Sequence, residues 1–314
     1  MKRMIFRWGR LGIAALMTIA LTQTVSYSLV SGSPGSPQTF ATPKDAVEAV
    51  VQACEKNDTQ ALLTIFGSEG AEIVQSGDPA DDTANRAEFV KRVHEKYKLV
   101  QDTTNPDKMI VSVGKGDWPF PVPLVRKDNV WYFDSADGAQ EILARRIGAN
   151  ELDAVEICRG YVEAQFEYAQ AHRNSGVPVY AQKIVSSPGT QDGLYWETGP
   201  DGVECQVPKG LAKAATSMSV NAQEPYHGYY FRVLTAQGSA ARGGVVNYIV
   251  NGSMIGGFAL IAWPAEYGVS GVQTFVVNHE GTVYEADLGS ETGRSAAEVT
   301  DFNPDASWSP FQPK

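Results

Sequence analysis

Between Ala149 and Arg173 the chain carries the pattern that most limits what it can fold into. Leu152, Val155, Cys158, Val162, Gln165 or Phe166, and Ala169 recur at steps of three and four, with no proline and a single glycine in the run. That spacing predicts an amphipathic helix of about six or seven turns. Glu156, Arg159, Glu163, Glu167 and Gln170 keep the same period on the opposite side, so the apolar stripe is the side that must be covered. The sequence before this helix reads as a mixed helix and strand unit. The sequence after it reads as an antiparallel sheet suited to lie on the stripe.

The N-terminus follows a different logic. Lys2, Arg3, Arg7 and Arg10 form a basic start, Leu11 to Val30 is mostly apolar, and small residues follow at Ser31 and Gly32 before a Ser/Gly/Pro stretch. Charge, apolar run and small residues in that order predict a secretory signal peptide over residues 1–32, cleaved after Gly32. The alternative is an uncleaved inner-membrane anchor, since about twenty weakly apolar residues just span a bilayer. A periplasmic or secreted location follows from the first reading. Membrane attachment follows only from the second, because no later stretch is apolar and long enough to cross a bilayer.

Removing residues 1–32 takes four basic side chains and no acidic ones from a chain whose formal charge is already −10. Such a surface repels phosphate backbones and argues against a nucleic-acid partner. Of the three cysteines, Cys54, Cys158 and Cys205, Cys158 sits on the apolar stripe, where a thiol behaves as a small hydrophobe. An oxidising compartment permits one bridge, and Cys158 with Cys205 is the pair to test first. No CxxC or Cys/His cluster suggests zinc, and neither a metal nor a cofactor is expected.

Taken in order, the mature chain begins with a linker at residues 33–41 and an α+β unit over 42–147. Thr42 and Pro43 open a first helix that stops at Asn57 and Asp58, and a second, Thr59 to Phe66, ends at Gly67. Thr83 to Lys98 is predicted helical, with Ala87, Val90, Val93, His94 and Tyr97 on one side. From Met109 the period becomes two, and the three prolines of TrpProPheProValProLeuVal suit an edge strand or extended segment. Lys127 to Asn129 turns the chain into Val130–Phe133. Glu141 to Ile147 is predicted as a separate helix closed by Gly148. The second unit, 148–311, starts with the long helix and continues through the Gly/Pro-rich stretch from Asn174 to Pro225. Beyond it, Gly228–Thr235 is a strand, and Asn251–Gly252 joins Val245–Val250 to Met254–Trp263 as a hairpin. A second hairpin turns at His279–Gly281, and Trp308 and Phe311 are docking anchors for the tail. The fold class is α+β, with a cone-like first unit and a long helix on a four- to five-stranded antiparallel sheet.

Several long segments carry a family resemblance. TyrHisGlyTyrTyrPheArgValLeuThrAlaGlnGly at 226–238, the run from Asn251 to Val272, and PheValValAsnHisGluGlyThrValTyr at 275–284 resemble the bacterial family designated domain of unknown function 2950. GlyAspTrpProPheProValProLeuVal at 116–125 and IleLeuAlaArgArgIleGlyAlaAsnGluLeu at 142–152 fit it as well. The resemblance implies an exported bacterial protein with no assigned activity. The element order of the first unit is similar to the cone-shaped fold shared by ketosteroid isomerases, without an isomerase's acid/base pair. The second unit resembles the soluble domain of type IV pilins and pseudopilins, but lacks their hydrophobic helical tail continuous with the domain.

Candidate site residues are few. Tyr226, His227 and Tyr229, with Trp263 and Tyr267, form an aromatic cluster able to stack on a sugar or grip a peptide where exposed, and to cover the helix where buried. Tyr230 belongs to the same run. Glu163 and Glu167 read as a solvated face, Asp78, Asp81 and Asp82 as turn and cap residues, and GlyValSerGly at 268–271 departs from a nucleophile elbow. The leading expectation is a non-enzymatic binding or assembly module of a bacterial envelope, with an envelope protein or a glycan as partner. The alternatives are a periplasmic hydrolase with its site between the two units, and a minor component of a secretion or pilus machine.

Overall fold

The computed structural model describes residues 35–174, 176–196, 211–212 and 225–312. The signal-peptide reading of residues 1–32 and Cys205 both lie outside the described residues. The chain divides into two compact units between Ala144 and Arg145, three residues before the boundary expected from sequence.

The first unit contains α1 (Pro43–Glu55), α2 (Thr59–Phe66), α3 (Ala71–Val74) and α4 (Pro79–Glu95), then β1 (Tyr97–Gln101), β2 (Lys108–Val113), β3 (Trp118–Pro119), β4 (Leu124–Lys127) and β5 (Val130–Phe133). α1 starts in a reciprocal capping box, with Asp45 N donating to Thr42 Oγ1 at 3.2 Å and Thr42 N to Asp45 Oδ2 at 3.1 Å. Gly67, at φ 70°, ends α2. The strands pair antiparallel in the order β1-β2-β4-β5, with β3 added on β2. Asp128 and Asn129, at φ 53° and 63°, make the β4–β5 turn in the left-handed conformation that matches strand twist. Val47, Val50, Leu62, Ile65 and Phe66 of the helices close over Val111, Val113, Leu124, Trp131 and Phe133 of the sheet.

Two expectations for this unit are corrected. α4 begins at Pro79 because Asp78 caps it, accepting from Ala80 N and Asp81 N at 3.0 and 3.3 Å. The same helix stops at Glu95, and Tyr97–Gln101 is a strand paired with β2 rather than a last helical turn. Its inward side is Arg86, Phe89 and Val93, whereas Ala87 and His94 are exposed. His94 Nε2 meets Glu55 at 3.3 Å.

α5 (Ser135–Ala171) is one helix, so the expected break at Gly148 does not occur. A helix-interior glycine costs about 1 kcal/mol relative to alanine. Each apolar side chain that α5 buries further along returns about 1.5–3 kcal/mol, which decides the matter. Its first turns belong to the first unit, where Ser135 Oγ donates to Phe66 O at 2.7 Å. The remainder belongs to the second.

In the second unit, β6 (Arg173–Asn174) and β7 (Val177–Pro178) form a small hairpin, and β8 (Tyr229–Leu234) enters the main sheet. Then come β9 (Ala236–Gln237), β10 (Val246–Asn247), β11 (Ile249–Val250), β12 (Ser253–Met254), β13 (Ala259–Pro264), β14 (Gln273–Asn278), β15 (Val283–Asp287), α6 (Thr292–Glu298) and β16 (Ser309–Pro310). The main sheet is antiparallel in the order β16-β15-β14-β13-β8. The Asn251–Gly252 turn is present but joins only β11 to β12, and the long partner of β13 is β8. β14 and β15 pair through the turn expected at His279–Gly281. Trp308 and Phe311 pack on the core as the tail anchors.

Ala154, Val155, Ile157, Cys158, Tyr161, Val162 and Ala164 of α5 share one core with Leu260, Ala262, Phe275 and Val277 of the sheet. The helix that was expected to lie on the sheet does so, with the stripe rotated. Leu152 is 54% exposed and Phe166 42% exposed. Glu151 and, of the Gln165/Phe166 alternatives, Gln165 take the inward positions, residue 151 lying three before Ala154, four before Val155 and seven before Cys158. Gln165, fully buried, holds Ala181 with both ends of its amide: Nε2 donates to Ala181 O at 2.7 Å, and Ala181 N donates to Oε1 at 2.8 Å. Its Nε2 also donates to Tyr161 Oη at 3.0 Å. α6 lies on the other face, its last carbonyls accepting from Arg232, whose Nη2 is 2.6 Å from both Ala296 O and Val299 O.

Gln165→Leu keeps the volume but strands two buried backbone groups of Ala181, a loss of roughly 2–4 kcal/mol. Urea unfolding of the variant should show a lower midpoint at unchanged slope, and a midpoint equal to wild type would contradict the role assigned to this amide.

Candidate functional site

The aromatic residues singled out by sequence do not form one surface. Tyr226 and Tyr229 close a turn on themselves, with backbone hydrogen bonds of 2.9 and 3.0 Å in opposite directions. Its central residues, His227 and Gly228, sit at φ 46° and 76°. A glycine is required there, since a Cβ on Gly228 would lie 2.7 Å from Ser270 Cβ. Tyr226 stacks on the His227 ring at 4.0 Å between centroids, and His227 Nδ1 pairs with the Asp153 carboxylate of α5. The neighbouring helix residues hold the next loop: Asn150 Nδ2 donates to Ser270 O at 2.8 Å, and Glu151 Oε1 accepts from Val272 N and Gln273 N at 2.9 and 3.0 Å.

Tyr229 is fully covered, and its hydroxyl donates to Gln273 O at 2.8 Å. Burial, then the nearby Glu151 charge, pushes its phenol well above the ordinary range. A Cβ on Gly271 would fall 2.1 Å from that hydroxyl, so the glycine makes room for it. Trp263 is on the face that carries Tyr230 and Arg232, with ring centroids 5.7 Å apart and the guanidinium 5.8 Å from the indole. Tyr267 lies in the β13–β14 loop and donates to Asp287 Oδ2 at 3.0 Å. Tyr226 and His227 therefore share a site with Asp153, Tyr229 supports it from beneath, and Trp263 and Tyr267 stand elsewhere.

The remaining sequence candidates have structural duties. Glu163 and Glu167 are exposed on α5. Asp82 Oδ1 accepts from Ser76 N at 3.0 Å. Ser270 Oγ is engaged with both the N–H and the carbonyl of Glu266. His172 stacks on Tyr168 at 3.8 Å. Cys158 is a free, fully buried thiol.

The first unit contains a feature that the sequence did not point to. A cavity of about 70 Å³ is walled by Val50 and Cys54 of α1, Leu62 and Phe66 of α2, Ile73 and Val74 of α3, Phe89 of α4, and Phe120 and Pro121. The Phe120 ring sets its floor, 5.1 Å from Phe89 and 6.4 Å from Phe66. Ser76, Asp82, Asn85 and Arg86 supply its polar side. Arg86 is held by three neutral acceptors: Nη1 donates to Asn57 Oδ1 at 2.5 Å and to Thr59 Oγ1 at 3.0 Å, and Nη2 donates to Val74 O at 3.1 Å. Burial pushes the Cys54 thiol up to about 12, with the Arg86 charge acting against it and Glu55 adding to it. A second depression, about 250 Å³ along α1 and α2, is larger and mixed, lined by Gln38, Gln52, Lys56, Asp58 and Thr64 together with Ala49, Ala53, Ala61 and Ile65, with no aromatic ring in its wall.

The wall residues come from five separate segments, which is why no local motif announces the cavity. The one available signal was the helical spacing of Asp82, Arg86 and Phe89 on α4, which places charges and a ring on the same side.

These features define a two-unit α+β protein with an apolar cavity in its first unit and a helix-backed sheet in its second. The chain belongs to the family described as protein of unknown function DUF2950, whose model matches residues 37–311 and so includes both units. No curated protein and no solved structure matches it. The pilin resemblance of the second unit accordingly rests on helix-then-sheet order alone.

Cys54 and Cys158 both have thiols raised by burial to about 12 from an ordinary 9.0. The folded state holds these protons more tightly than the unfolded chain, so their contribution is complete below about pH 9 and is lost as pH rises toward 12. Denaturation from pH 8 to pH 11 should show stability falling, and less steeply in Cys158→Ala. A slope unaffected by that substitution would contradict the burial assigned to Cys158.

Proposed function

We propose that this DUF2950 protein is an exported bacterial envelope protein, periplasmic or secreted, that acts as a binding module and takes a small apolar molecule into the cavity of its first unit. The observation that carries this reading is the cavity itself: a hollow walled by aliphatic and aromatic side chains, with its polar groups gathered on one side. An apolar concavity with few convergent polar groups is the usual form of a small-molecule site. Its volume of about 70 Å³ is roughly half of the ~150 Å³ that encloses a benzene ring, so it takes a small ring or a short chain only in part, with the rest at its mouth. Export is supported by the succession of basic, apolar and small residues over 1–32.

Toluene is a suitable probe for the cavity. At ten times its dissociation constant it should stabilise the protein by about 1.4 kcal/mol against thermal unfolding. Ile73→Phe, which fills the cavity from its rim, should remove that stabilisation while keeping the fold. Equal stabilisation of both proteins, or none of either, would contradict the site. Mass spectrometry of the exported chain should find its N-terminus near Ser33, and an intact Met1 would contradict the free exported form.

A further inference from the structure

We infer that the ligand of the first-unit cavity is a small organic carboxylate, with its apolar body among the phenylalanine rings and its charged end on Arg86. This rests on reading the cavity as a binding site and adds the chemistry of what it binds. Arg86 is half-buried at the cavity wall. Its three hydrogen bonds all go to neutral acceptors, the Asn57 amide, the Thr59 hydroxyl and the Val74 carbonyl. Among the described residues no carboxylate forms an ion pair with it.

A guanidinium has five N–H groups, so donors remain on Arg86 once those three acceptors are served. A partly desolvated charge held by neutral groups is an incomplete arrangement, and a carboxylate completes it with charge-assisted bonds matched to the planar fork. The three fixed acceptors also pre-orient the fork, so little side-chain freedom is lost when an anion docks.

Asp82 is the acid on the same polar side, and it does not cancel this preference. One of its oxygens is occupied by Ser76 N at 3.0 Å, and it makes no ion pair with Arg86. Against the burial that raises the Cys54 thiol at the wall, the Arg86 charge lowers it more than Glu55 raises it further. The rest of the lining includes Val50, Leu62, Phe66, Phe89 and Phe120, which offer no partner to a second charged group on a ligand. A monocarboxylate with a hydrocarbon body satisfies both sides, whereas a cation would meet Arg86 repulsively.

Cys54 reports occupancy without any substitution. Because its thiol is raised, the mature wild-type protein is treated at pH 9 with an excess of methyl methanethiosulfonate that labels Cys54 in the absence of ligand, then in the presence of hexanoate, hexanol or hexylamine, and modification of the Cys54 peptide is followed by mass spectrometry. Cys158 serves as the fully buried reference. Hexanoate should protect Cys54 at about tenfold lower concentration than hexanol, and hexylamine should protect least. Arg86→Met should erase the advantage of hexanoate while leaving protection by hexanol. Should that variant fail to fold, the order among the three ligands on wild type decides by itself. Equal protection by hexanoate and hexanol, or stronger protection by hexylamine, overturns the carboxylate inference and leaves an apolar site standing. Absence of protection by all three overturns both readings.

Discussion

The second unit depends on how one side of α5 meets the sheet. Val155, Ile157, Cys158, Tyr161 and Val162 supply the apolar contact, worth about 1.5–3 kcal/mol for each large side chain. The same side carries polar residues spaced by helical turns that fix everything the sheet alone leaves loose. Asp153 holds the His227 turn, Glu151 and Asn150 hold the loop between β13 and β14, and Gln165 holds the chain at Ala181. Apolar burial is non-directional, so it brings helix and sheet together without choosing a register. The directional bonds from α5 select one arrangement, and those from Asn150, Glu151 and Gln165 also satisfy backbone groups of the chain they hold.

That division explains which parts of the fold can be read from the chain. Local chemistry announces local structure: the Thr42 cap with Pro43, Gly67 after α2, the turns before Val130 and at Asn251–Gly252, and the period-two strand from Met109 are where their residues predict. Non-local choices are not announced. Val245–Val250 and Gly228–Thr235 are both credible neighbours for Met254–Trp263, and the long register between β8 and β13 wins because it buries both faces of β13. Gly148 reads as a stop only if the helices on either side are weighed separately. The spacing leaves Gln165 and Phe166 as alternatives, because a hydrophobic pattern favours the ring and cannot see that the hydrogen bonds of the amide are all internal. Tyr97 and Lys98 read as the end of α4 because Tyr97 continues its apolar spacing, although the backbone has already become extended at Lys96.

The candidate site was less legible than the fold. An aromatic cluster draws attention in sequence, yet Tyr229 and Trp263 are committed to opposite faces of one sheet, and Tyr267 to a loop. What remains of the cluster is the Tyr226–His227 pair on Asp153, in a turn whose left-handed backbone favours glycine and, after it, asparagine, aspartate and histidine. The cavity of the first unit has the converse character. Its residues are ordinary one at a time and significant only where α1, α2, α3 and α4 converge above Phe120. Arg86 carries the same lesson, because its interest lies in having neutral partners in a half-buried place, and partners are invisible until the chain is folded.

Native-state hydrogen exchange tests the central account most directly, since it compares the stability of α5 with that of the sheet it covers. Amides from Val155 to Gln165 should exchange with the same free energy as those of Leu260–Ala262 and Phe275–Val277, opening as one cooperative unit. Exchange of the helix at a distinctly lower free energy than the strands would show that the sheet stands without it, and would contradict the dependence of the second unit on α5.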